Sequence, residues 1–71
     1  MYMEATPEAA VADKLYQHRA AVRRVIEQAK RPLTIAEVRQ LAREQDPTLS
    51  SVLLACAADE LRRQQKIRLA D

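Results

Sequence analysis

The chain has 71 residues, twelve Lys and Arg against ten Asp and Glu, one His, one Cys, and no Gly, Phe or Trp. A length of that order makes one domain burying only about 60% of the surface its unfolded chain exposes, so its stability is expected to be marginal. Cys56 alone excludes an internal disulfide and implies a reduced, intracellular protein. No apolar run reaches the length of a membrane span, and the opening "MYMEATPEAA" lacks the basic and apolar regions of a signal peptide, so a cytoplasmic location without membrane contact is expected. The net charge of +2 permits nucleic-acid binding without arguing for it.

Residues 1–5 read as a disordered N-terminus and residues 6–30 as helix one. Thr6 is placed as N-cap, Pro7 stands where its missing N–H costs nothing, and Glu8 faces the positive end of the dipole. Val11, Leu15, His18, Val22, Val25 and Ala29, with Ile26 beside them, recur at spacings of three and four and form one apolar stripe. The helix ends where Lys30 and Arg31 meet the negative end of the dipole and Pro32 forbids continuation. It is longer than two shorter helices can cover. Val11, Leu15, His18 and Val22 are therefore expected to form the seam of a two-fold homodimer.

Helix two is expected over residues 34–45. Thr34 and Glu37 make a T-x-x-E capping box, and Leu33 and Val38 make the hydrophobic staple around it. Ile35, Val38, Leu41 and Ala42 are its buried face, with Arg39, Gln40, Arg43 and Glu44 solvated. Pro47 stops the helix, and Asp46, Thr48 and Ser50 are three possible caps for the next. Helix three is expected over residues 48–65, with Leu53, Leu54, Ala57, Ala58 and Leu61 inward and Val52, Ala55, Cys56 and Asp59 outward. In residues 66–71, Ile67 and Leu69 alternate with Arg68, the pattern of a short strand or extended arm. The expected fold is one all-α domain over residues 1–71, three helices with a long first one and at most a minimal β-strand.

A helix, a Pro corner, the capped segment "PLTIAEV", a turn and a helix closing on "DELRRQQKIRL" resemble the winged helix-turn-helix superfamily, in its small bacterial, plasmid or phage form. The resemblance covers residues 18–69. It implies that helix three is the recognition helix entering the major groove and that "LRRQQKI" leads into the first strand of the wing. It further implies that Thr48, Ser50 and Ser51 open the groove-facing end of that helix, with Thr34, Arg39, Lys66 and Arg68 near phosphates. The family carries Gly, suited to a left-handed backbone, where this chain has Gln65, and the wing is expected to be vestigial.

No pair of residues reads as an acid–base couple, so the chain is not expected to be an enzyme. His18 has no carboxylate or thiol at ligand spacing, and no basic residue shares the helix face of Cys56, so neither a metal nor a cofactor is expected. Two functions follow. One is a homodimeric DNA-binding transcriptional regulator that contacts duplex DNA. The other is a protein-binding adaptor or inhibitor without DNA binding, because a helix face of Val52, Ala55 and Cys56 lacks the Arg, Asn, Gln or Lys that read bases.

Overall fold

A computed structural model describes the backbone of residues 7–70 and the side chains from Asp13 onward. Three helices follow in order: α1 (Pro7–Ala29), α2 (Ile35–Gln45) and α3 (Ser51–Arg63). Among the described residues there is no strand, so the domain is all-α. Its one β feature is a single parallel bridge between Leu33 and Leu69. Of the short strand or arm expected over residues 66–71, the described part is an arm held by one rung, with the Ala70 N–H donating to the Leu33 carbonyl at 2.8 Å. The N-cap at Thr6 and the disordered segment at residues 1–5 lie outside the described residues.

The core is built from small and branched aliphatics. Val22 and Val25 of α1, Leu33 before α2, Val38 and Ala42 of α2, and Leu54, Ala57, Ala58 and Leu61 of α3 are buried together with Ala21 and Leu49. Alanines on all three helices let the backbones approach closely, which is how an aromatic-free interior can still be filled. Ile26, Leu41, Ile67 and Leu69 close its edges. The helix α1 packs most extensively against α3.

The starts of α2 and α3 and the ends of all three helices have a side-chain or backbone device that satisfies loose polar groups. At the start of α2 the Glu37 N–H donates to Thr34 Oγ1 and the Thr34 N–H to Glu37 Oε1, both at 3.1 Å, closing the capping box. Leu33 and Val38, the staple pair, are both fully buried. Replacing Thr34 by Ala should lower stability by about 1 kcal/mol, read as a shifted chemical denaturation midpoint at constant slope. Arg31 adds an ion pair to Glu37 at 2.8 Å. The Arg31 hydrogen bond first, then the Thr34 N–H, hold the Glu37 carboxyl down at about 2 against an ordinary 4.5. Because the folded value is the lower one, the contribution is complete above pH 4.5 and disappears as pH falls through about 2.

Helix three is shorter than the 48–65 span expected. Both the N–H and the hydroxyl of Thr48 donate to Asp46 Oδ1, at 3.1 and 2.6 Å, and the Leu49 N–H donates to the Asp46 carbonyl. These bonds hold residues 46–49 in a turn. The chain becomes helical only after Ser50, whose Oγ accepts the Leu53 N–H. Among the three possible caps, Ser50 is the one used.

Two helix ends need a left-handed residue and neither has glycine. Lys30, at φ 56°, closes α1 with its N–H on the Ile26 carbonyl. Gln65, at φ 59°, closes α3 in a Schellman motif: its N–H donates to the Arg62 carbonyl at 3.0 Å and the Lys66 N–H to the Leu61 carbonyl at 2.9 Å. A β-carbon is disfavoured there by roughly 1–2 kcal/mol, partly offset by the greater freedom of glycine in the unfolded chain. Gln65→Gly should therefore stabilise the domain by about 0.5–1 kcal/mol, and a thermal midpoint no higher than wild type would contradict this account of the turn.

Candidate nucleic-acid interface

The helices α2 and α3 are joined by the turn at residues 46–50, and a cleft of about 510 Å³ opens between them. Arg39 and Arg43 of α2 line it, one helical turn apart, with Pro47 and Ser51 at the beginning of α3. Four arginines of the described residues form ion pairs: Arg19 with Glu60, Arg31 with Glu37, and both Arg62 and Arg63 with Asp59. Arg39 and Arg43 form none. Glu44 is the one carboxylate on the cleft lining.

A second group of unpaired cations lies at the other end of α3. Lys66 and Arg68 of the arm face Arg23 of α1 across a groove that also holds Ile26 and Ile67. The thirteen residues of α3 separate the two groups by about 20 Å along the helix. Arg39 and Ser51 therefore share one site, and Lys66 and Arg68 another. Arg23 and Arg43 complete these sites although the sequence did not single them out. The signal for Arg43 was its place four residues after Arg39 on a solvated face.

Three of the expected phosphate or groove contacts are engaged within the fold. Thr34 Oγ1 caps α2, Ser50 Oγ caps α3, and the Thr48 hydroxyl is bound to Asp46. The Ser50 N–H is also taken, donating to His18 Nε2 at 2.9 Å. His18 in turn bonds through Nδ1 to the Lys14 carbonyl, so the imidazole pins α1 to the cap of α3.

That bond corrects the dimer seam. His18 is only 4% exposed and Val22 is fully covered, both within one protomer, because α3 and its cap reach back over the middle of α1. Two of the four seam residues are thus unavailable to a partner. Leu15 is half-buried, and the Val11 side chain lies outside the described residues.

On the outer face of α3, Val52 is 70% exposed and Cys56 is exposed, with Ala55 half-buried between them. Asp59, on the same face, accepts from Arg62 at 2.7 Å and Arg63 at 3.0 Å. The Arg62 hydrogen bond, and then the charge of Arg63, hold its carboxyl below the usual range, so the carboxylate is matched by two cations. Among the described residues no cluster of His, Cys, Asp or Glu could hold a metal ion, and no helix is long and apolar enough to cross a membrane. No family model, curated protein or solved structure matches the chain.

Proposed function

We propose that this chain is a small helix-turn-helix domain that binds duplex DNA and acts in transcriptional regulation. The observation that supports it is the α2–α3 cleft, where two unpaired arginines flank the first residue of a helix. A helix N-terminus carries partial positive charge and free N–H groups, and cations beside it deepen the attraction for phosphate. The exposed face of α3 offers Val52, Ala55 and Cys56 rather than base-reading side chains. Binding is thus dominated by the DNA backbone, with weak discrimination among sequences.

A twenty-base-pair duplex should bind with an affinity that falls steeply between 50 and 200 mM salt. Each phosphate contact contributes roughly −0.9 to the log–log slope, so replacing Arg39 and Arg43 by Ala should flatten it by about 2. An unchanged slope, or no binding at low salt, sinks the proposal.

A second reading rests on the same helix. Val52, at 70% exposure beside Cys56 and Ala55, is an apolar strip suited to a protein contact, and it supports an adaptor without DNA binding. Val52→Ser separates the two. Adding no charge beside the phosphate site, it should leave the duplex affinity within a few-fold, whereas an adaptor would bind its partner much more weakly.

A further inference from the structure

Among the described residues, Tyr16 joins Val52 as a large apolar side chain left in solvent, at 71% exposure. It stands at one end of a groove of about 300 Å³ between α1 and the last turns of α3. Arg23 and Lys66 line that groove at its other end, and both also line the adjoining groove with Arg68, so the two run together along α1. Ala20 and Leu61 line the trough between them. Arg19 and Glu60 in its wall neutralise each other through a forked contact at 2.7 and 2.9 Å. Three unpaired cations, Arg23, Lys66 and Arg68, then face one unpaired carboxylate, Glu27.

We propose that this trough binds a single-stranded nucleic acid, its phosphates on Arg23, Lys66 and Arg68 and one base stacked on the Tyr16 ring. A cationic groove leading to an exposed aromatic face is what an unpaired strand needs, since the backbone follows the charge and any base offers a π-face. A duplex, a convex cylinder with its bases inward, reaches only the rim of such a trough. An acidic peptide would match the cations but would leave the tyrosine face unused. The side-chain amides of Gln64 and Gln65 on the lining add donors and acceptors for base edges. This site shares no lining residue with the α2–α3 cleft and does not depend on duplex binding there.

The test is fluorescence anisotropy with a labelled twelve-nucleotide oligothymidine, alongside the twenty-base-pair duplex. Three phosphate contacts on a single strand predict a log–log salt slope of about −2. Tyr16→Ala should weaken the oligothymidine about tenfold, whereas Tyr16→Phe should hold it within twofold. The Lys66→Glu, Arg68→Glu pair should abolish the binding, and circular dichroism checks that each variant is folded. Replacing Arg39 and Arg43 by Ala should leave oligothymidine binding intact while reducing that of the duplex. The inference is overturned by no oligothymidine binding, by binding indifferent to Tyr16→Ala, or by an oligoglutamate peptide that competes at equal affinity. Loss of duplex binding alone would remove the helix-turn-helix reading and leave this one standing.

Discussion

Replacing His18 by Leu should destabilise the domain by about 2 kcal/mol, although the substitution makes its interior more apolar. The Ser50 N–H loses its acceptor, His18 Nε2, and the half-buried cap cannot turn to water without disturbing the first turn of α3. An enclosed donor left without a partner costs roughly 1–3 kcal/mol. In a domain of this size each kcal/mol moves the thermal midpoint by about 4–8 °C, so a drop of the order of 10 °C is expected. His18→Gln should recover part of the loss, because a side-chain amide oxygen can accept from the same N–H. A leucine variant as stable as wild type would mean that the imidazole does not join α1 to α3.

That one contact separates what could be read from the sequence from what could not. The capping box of α2 was legible because Thr34 and Glu37 stand three positions apart, and local geometry alone brings them together. The start of α3 was not, because Asp46, Thr48 and Ser50 are equally good caps on local grounds. Ser50 is favoured because Asp46 and Thr48 are spent on each other in the turn and because a histidine thirty-two positions upstream accepts the Ser50 N–H. Periodicity placed His18 on the apolar stripe of α1, and it is buried there. Periodicity reports that a face is covered, not by what. The expected second copy proved unnecessary at His18 and Val22, since the domain's own core covers Val22 and the cap of α3 holds His18.

The cations show the same limit. Arg19 meets Glu60 across forty-one positions, and no local pattern distinguishes it from Arg23, which stays unpaired one turn later. Arg39, Lys66 and Arg68 looked like one footprint because the family resemblance joined them. The length of α3 sets Arg39 and Ser51 apart from the arm. The left-handed turn at Gln65, by contrast, was visible as a position where glycine is usual, and the backbone adopts that conformation without it.

Leu33→Ala should produce the larger loss, about 3 kcal/mol, and it tests whether the arm belongs to the core. Leu33 is fully buried, staples the entry of α2 with Val38, and holds the arm through the carbonyl that accepts the Ala70 N–H. Removing a covered leucine sacrifices its transfer energy and leaves a cavity, a combined effect of roughly 2–5 kcal/mol. A chain of this size has only about 4–10 kcal/mol in total, so the variant should be partly unfolded at physiological temperature. Leu69→Ala, at a half-exposed position bridged to Leu33, should cost about 1 kcal/mol, because less area leaves water there. The informative quantity is the double variant. If the arm docks on the α2 entry as one cooperative unit, the two losses will not add, since either change alone loosens the shared contact. Strict additivity, or a Leu33→Ala loss below about 1 kcal/mol, would detach the arm from the core. Arg68 would then be carried on a free tail, without the fixed spacing from Arg23 that the trough requires, while Lys66 would stay on the α3 cap through its N–H on the Leu61 carbonyl.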